Sequence, residues 1–375
     1  MLKRLSLRLT GGHAWALASV WQVGMLGLPD PSEEPTSMTA IPSTHRRIVL
    51  ASRPEGMVSL DNFRLEEVPV PAPGPGQILV RQIYQSLDPY MRGRMNDGPS
   101  YAPPVPVGGV MEAGGVGEVV ASHHPDWQVG DIVEGRLGWQ EYCVPPYARL
   151  RKIDPALAPI STANGVLGMP GMTAYFGFLE VGQPQPGDTV VVSAASGAVG
   201  AVVGQIARIM GCRVVGLVGS QAKADYIVNE LGFHAAINYR TEDLMQALGR
   251  ECPLGIDVYF ENVGGAVWDA VVEHLAIGAR VAVCGRIAEY NLAEQELVPR
   301  NMRFFIPKRV RMQGFLVFDF ESRHPEAVQR MARWIGSGEL KYREDIVEGI
   351  ENAPAAFLKL FRGENFGKLL IKMTH

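Results

Sequence analysis

The chain has 375 residues, enough for two domains of ordinary size, each with its own core. Hydrophobic residues make up 47% and charged residues 20%, values of a soluble enzyme, and a net charge of -4 without a run of Lys or Arg excludes a basic field for nucleic acid. Cys143, Cys212, Cys252 and Cys284 are widely spread, with no C-x-x-C pair and no flanking histidine cluster, which argues against a disulfide framework and a zinc site and fits a reducing compartment.

Residues 1–45 differ from the rest. Lys3, Arg4 and Arg8 precede an apolar stretch from Ala14 to Leu28, and the chain from Pro29 to Pro42 is rich in Pro, Ser, Thr and Glu. We read the segment as an extension outside the folded domains. A signal peptide is disfavoured, because Pro-Asp-Pro follows Leu28 with no small-x-small cleavage site. A mis-set start, with translation beginning at Met38, is the favoured reading. The alternative is a mitochondrial presequence, since no acidic residue precedes Asp30. The apolar stretch is short for a bilayer span, so no membrane partner is expected. The expected compartment is the cytoplasm, or the mitochondrion if residues 1–37 are a genuine presequence.

From Arg47 to about Leu150, short apolar runs alternate with Gly and Pro: Gln77 to Tyr84, Gly115 to Val120 and Gly130 to Gly135. Strands joined by tight turns predict a partly open β-barrel. Within it, Tyr84 and Cys143 read as core residues, and His123 and His124 as a solvated turn. Tyr90, after Asp88-Pro89, either shapes a cleft or packs the barrel against its neighbour.

At Thr189 the grammar changes to strand and helix in alternation. The strand Thr189 to Ser193 runs into Ala195-Ser196-Gly197-Ala198-Val199-Gly200, and a helix with Val199, Val202, Val203, Ile206 and Met210 on one face follows. Ala195 stands where the dinucleotide fingerprint has its first glycine, but strand, turn and helix in that order predict a pyrophosphate cradle. The next strand, Arg213 to Val218, ends in Gly219-Ser220-Gln221-Ala222-Lys223. A carboxylate that would favour NAD is absent there. Ser220 and Lys223 suit a ribose 2′-phosphate, so the cofactor expected is NADPH. The plain alternative for Lys223 is a solvated residue in a first helical turn. Strands at Ala235 to Asn238, Ile256 to Phe260 and Arg280 to Cys284 complete a doubly wound parallel sheet of Rossmann type. Asn262 closes one of them, where its amide either meets cofactor groups or caps the next helix.

Past Phe318 the spacing of Val328, Met331, Ala332 and Ile335 predicts a helix, followed by a shorter helix from about Pro354 to Phe361 and a strand from Lys368 to Lys372. These are too few to make a core alone and are expected to return to the first domain. The expected division is 1–45 as extension, 46–165 with 319–375 as a GroES-like barrel domain, and an inserted Rossmann domain over 166–318.

Several motifs together carry a resemblance that runs from about Arg46 to Met373. They are Ser-Leu-Asp-Pro-Tyr-Met-Arg-Gly-Arg-Met from Ser86, Leu-Gly-Met-Pro-Gly-Met-Thr-Ala-Tyr from Leu167, the Ala194 to Gly200 turn, Phe-Glu-Asn-Val-Gly-Gly from Phe260, Cys284-Gly285, Tyr290-Asn291, and Gly-Glu-Asn-Phe-Gly-Lys from Gly363. The chain resembles the zinc-independent medium-chain dehydrogenase/reductases, in the branch of the prostaglandin reductases, plant alkenal double-bond reductases and bacterial curcumin reductases. The resemblance implies NADPH-dependent reduction of the carbon-carbon double bond of an α,β-unsaturated aldehyde or ketone, without a metal, by a homodimer. It places the backbone of Ala198, Val199 and Gly200 on the pyrophosphate, Lys223 on the 2′-phosphate and Tyr239 at the adenosine phosphate end, with Ser196, Gly197, Gly219 and Ser220 as further cofactor-binding residues. Asn262, the Cys284 to Tyr290 loop with Gly285, Phe315, Leu316, Val317 and Asn365 would line the nicotinamide half, with Pro89 and Tyr90 approaching from the barrel, and Thr173 is a further cofactor-binding residue. Arg286 and Glu289 are charged where such relatives tend to carry small or neutral residues.

Conjugate reduction requires stabilisation of negative charge on the carbonyl oxygen. Tyr290, in a loop after a sheet strand, is the expected phenol donor to that oxygen, with Tyr90 as the second catalytic candidate; a plain pocket wall is the alternative for Tyr290. A quinone reductase on the same scaffold, or an NADPH-binding protein without turnover, are the rival functions.

Overall fold

A computed structural model describes residues 40–98, 100–146, 149–294, 302 and 304–374. Most of the expected N-terminal extension, residues 1–39, lies outside the described residues.

An antiparallel ribbon opens the fold. β1 (Thr44–Leu50) pairs with β2 (Phe63–Pro69), Thr44 opposite Pro69. The barrel strands follow as β3 (Ile78–Ser86), β4 (Gly114–Ser122), β5 (Ile132–Arg136), β6 (Tyr142–Cys143) and β7 (Arg151–Lys152), with the one-turn α1 (Met91–Arg94) between β3 and β4. Their alternation of apolar and polar residues puts Ile78, Val80, Val119, Val133, Leu137 and Cys143 into one buried cluster. Cys143 is 5% exposed and behaves as the expected small core residue.

The parallel domain begins with α2 (Met169–Phe176), whose Pro170 occupies the first turn, where a missing N–H costs nothing. The sheet strands are β8 (Thr189–Val192), β9 (Arg213–Val218), β10 (Ala235–Asn238), β11 (Ile256–Glu261), β12 (Leu275–Val283) and β13 (Arg311–Gly314), separated by α3 (Gly200–Ile209), α4 (Gln221–Asn229), α5 (Leu244–Glu251), α6 (Gly265–Glu273) and α7 (Phe305–Lys308). The described strands lie in the order β10-β9-β8-β11-β12-β13, every neighbouring pair parallel. Successive residues face opposite sides: Val190, Val192, Val214 and Val258 enter one core with α2 and α3, and Val191, Val215, Tyr259 and Val281 enter the other with α5 and α6. The order reverses between β8 and β11, which opens a crevice at their carboxyl ends.

The last elements are α8 (His324–Gly336), β14 (Glu344–Glu348), α9 (Ala353–Arg362) and β15 (Lys368–Lys372). α9 and β15 join the barrel, whose described sheet runs β14-β15-β3-β4-β5-β7, with β6 on β3. α8, expected on the barrel as well, differs. Its Ala327, Met331 and Trp334 enter the core of the parallel domain beside Tyr175 and Val202, and Arg330 covers the Trp334 ring at 4.8 Å. The aromatic face of α2 offers it more apolar surface than the barrel wall, which α9 already covers with Phe357.

Candidate active site

The crevice is built first by the turn after β8. Ala194 takes a left-handed conformation (φ 50°), and Gly197 N donates to Ala194 O at 3.0 Å, folding the chain back before α3. Gly200 must be glycine, since a β-carbon there would stand 2.5 Å from Ala194 O. The turn therefore delivers the amino end of α3, the positive end of its dipole, into the crevice.

A buried carboxylate knits the two strands at the reversal. Glu261, 1% exposed, accepts from Ser193 Oγ (3.0 Å), Tyr259 OH (2.8 Å), Val263 N (2.5 Å) and Gly264 N (3.1 Å). Burial raises its pKa, and these donors work in the opposite direction. Asn262 donates through Nδ2 to Ser193 O at 2.8 Å, and its own N–H reaches Ser193 Oγ at 2.8 Å. The capping alternative for Asn262 does not hold: Gly264 is the residue before α6. Its amide fixes the β8 turn.

At the adenosine end, Ser220 caps α4, accepting from Lys223 N at 3.4 Å. Tyr239 places its hydroxyl over Gly219, 2.7 Å from where a β-carbon would stand. Lys223 Nζ donates to Gly363 O at 2.6 Å, and Arg240 Nη2 donates to Arg362 O at 3.2 Å. Burial, and then the Arg240 charge, lower the Lys223 pKa. Two cations whose side-chain bonds among the described residues go to backbone carbonyls fit a phosphate dianion. Sequence reasoning passed over Arg240; its place directly after Tyr239, at the end of β10, was the available signal.

At the other end, β12 runs out into Cys284-Gly285 and a loop ending at Tyr290. Cys284 is half-buried, and desolvation, then Glu261, push its thiol up to about 12. The Tyr290 hydroxyl accepts from Arg286 N at 3.3 Å, which leaves its own hydrogen to give. Burial raises the phenol pKa, partly offset by that N–H. Arg286 and Glu289, the two unusual charges, pair with each other, and Glu289 also accepts from Gly265 N at 3.3 Å. The pair is folded onto the α6 entrance.

The other expected residues contribute less through their side chains. Thr173 spends its hydroxyl hydrogen on Met169 O, one turn back in α2, at 2.7 Å. Phe315 packs on Gly177 and meets Phe260 edge-on at 6.2 Å, and Val317 is buried, so Leu316, 37% exposed, is the side chain of that segment left to solvent. Asn365 donates to Gly367 O at 3.2 Å. Tyr90 packs against the barrel core beneath Arg94, and burial, then Asp88, lift its phenol well above the usual range. Its ring is thereby packed as part of the barrel-side wall, with the phenol held neutral. Tyr101, unnoticed in the sequence, is 54% exposed and stacks on Arg94 at 4.2 Å. Pro89 follows Asp88, which Lys368 Nζ holds at 2.6 Å while also reaching Ser86 Oγ and Leu87 O.

Comparison with known proteins supplies the family. Residues 46–153 match a family model described as the N-terminal domain of oxidoreductase, and residues 198–334 one described as zinc-binding dehydrogenase. The zinc of that description finds no fit among the described residues, where no three His, Cys, Asp or Glu side chains gather as a metal site. The NADPH-dependent curcumin reductase of Escherichia coli (strain K12) is 48% identical over 335 residues, 88% of this chain and 97% of that protein. A 2-alkenal reductase (NADP(+)-dependent) of Nicotiana tabacum is 46% identical over 308 residues, 80% of this chain and 88% of its own. The crystal structure of CurA in complex with NADPH from Vibrio vulnificus superposes with a TM-score of 0.84 at 44% identity, covering 88% of this chain and 99% of that one.

Proposed function

The chain belongs to the medium-chain dehydrogenase/reductases, in the branch of NADPH-dependent curcumin, alkenal and enone reductases, and from that premise we infer that it reduces the carbon-carbon double bond of an α,β-unsaturated aldehyde or ketone. The observation that carries the reading is the placing of the α3 turn, the Lys223 and Arg240 pair and the Tyr290 phenol at the carboxyl ends of the parallel strands. Gly197 to Gly200 hold the pyrophosphate, and Lys223, Arg240, Ser220 and Tyr239 hold the 2′-phosphate. Bound there, NADPH supplies the hydride for the β-carbon.

Tyr290 gives its hydrogen bond to the carbonyl oxygen, where negative charge develops as the β-carbon is reduced. Held neutral by burial, the phenol is a competent donor at physiological pH. Protonation of the α-carbon follows from Tyr290 or from solvent. Tyr90 and Tyr101 form the barrel-side wall against which the substrate lies.

A panel of 2-alkenals, enones and quinones, followed by loss of NADPH absorbance, tests the assignment. Oxidation with alkenals or enones is the expected result. Quinone-only turnover would favour a quinone reductase, and no turnover with any member would leave a binding protein. We place the enzyme in the cytoplasm on its four unpaired thiols, and propose a homodimer through β13, which among the described residues pairs with β12 alone.

A further inference from the structure

Arg92 on α1 is 1% exposed, and its bonds go to neutral acceptors: Gly56 O at 2.7 Å, Asn291 Oδ1 at 2.9 Å and Asn96 Oδ1. None of these partners is a carboxylate. A guanidinium kept in the interior on such terms needs its acceptors held in fixed places, because losing one leaves a buried charge undersatisfied. One of those acceptors comes from the parallel domain. Asn291 Oδ1 accepts a second bond, from Val58 N at 3.3 Å, so a single side-chain carbonyl receives two donors from the barrel.

Asn291 is the residue directly after Tyr290. The Tyr290 phenol in turn rests on Arg286 N, five residues before Asn291 in the same loop. The loop is thus pinned at its far end by Arg92 and steered at its near end by its own backbone. We propose that Arg92 and Asn291 are positioning residues: their bond across the two domains holds the Tyr290 phenol at the carbonyl oxygen of the substrate. The proposal rests on the reading of Tyr290 as the donor. A donor displaced by about 1 Å loses much of its effect on the rate while the cofactor groove stays intact.

The test uses the full-length protein with Asn291→Ala, Asn291→Asp, Tyr290→Phe and Asn291→Ala combined with Tyr290→Phe. kcat and KM for an enone are measured beside NADPH affinity by cofactor fluorescence. Asn291→Ala is expected to lower kcat by about 10-fold or more, with NADPH affinity held within about twofold. Asn291→Asp, which still offers an oxygen to Arg92, is expected to restore most of the loss. In the Tyr290→Phe background, Asn291→Ala is expected to cost nothing further, since the donor it positions is gone. Additive losses in the double variant, an Asp variant no better than Ala, or NADPH affinity falling in step with kcat would each overturn the latch. Tyr290→Phe that retains turnover would instead sink the donor reading, and the latch with it.

Discussion

Tyr290 and Lys223 make opposite demands on pH. Burial raises the Tyr290 phenol, so the donor stays protonated throughout the neutral and mildly alkaline range. Burial and Arg240 lower Lys223, so its charge is lost at a lower pH than that of an exposed lysine. As pH climbs, KM for NADPH is therefore expected to rise before an exposed lysine would lose its charge, while kcat at saturating cofactor stays flat over that range. A kcat that falls in parallel with cofactor affinity would count against this division of roles. Tyr290→Phe should lower kcat by about 100-fold, within the span of a lost oxyanion donor; turnover within about twofold of the parent would return the residue to the pocket wall. Lys223→Ala should weaken NADPH by on the order of 1.5 to 3 kcal/mol and leave NADH nearly untouched, read from the two dissociation constants. Both residues were legible in the sequence, because each lies at a fixed distance from a recognisable strand end. Arg240 and Asn291 were not marked out as site residues, since what gives each its place is a contact with the barrel, and such contacts leave no local spacing to read.

Elements follow the same division. β8, its turn and α3 are written locally in an apolar run, small residues and a helical stripe, and the fold reproduces them almost residue for residue. The β1 and β2 ribbon, β13 and β14 escaped notice: β1 ends in a continuous apolar run, Ile48 to Leu50, and the others are largely exposed, so little apolar alternation marks them. For α8 the stripe announced a helix with a buried face but said nothing of which core would receive it. α9 shows how an element end acquires function. Its last carbonyls, Arg362 O and Gly363 O, hold Arg240 and Lys223, the two cations proposed for the phosphate, and Gly363 closes the helix at φ 69°. A β-carbon in that left-handed conformation costs about 1 to 2 kcal/mol, so Gly363→Ala should relax the helix end and shift both carbonyls. NADPH affinity is expected to fall several-fold with NADH affinity unchanged. Equal effects on both cofactors would show that the helix end does not serve the phosphate.

At the scale of the whole molecule, the proposed homodimer rests on the exposed edge of the parallel sheet. Among the described residues β13 pairs with β12 alone, and Arg311 to Gly314 are exposed throughout, Met312 at 44%. An uncovered edge templates pairing with a further strand unless charge or a bulge guards it. The nearest candidate guard is committed elsewhere: Arg311 Nη2 donates to Val181 O at 2.7 Å. Exposed apolar side chains accompany the edge, Ile277 on β12 at 67% and Ile306 on α7 at 86%. A second copy related by a two-fold axis would lay its β13 antiparallel to this one and cover those side chains in the same step. Light scattering of the purified protein is expected to give twice the mass of the chain. Met312→Lys puts a charge on the edge and should yield a monomer, while NADPH affinity persists, because none of the residues assigned to the phosphates lies on β13. A parent protein that runs as a monomer at micromolar concentration would refute the pairing, and a Met312→Lys variant that remains dimeric would move the interface to another face.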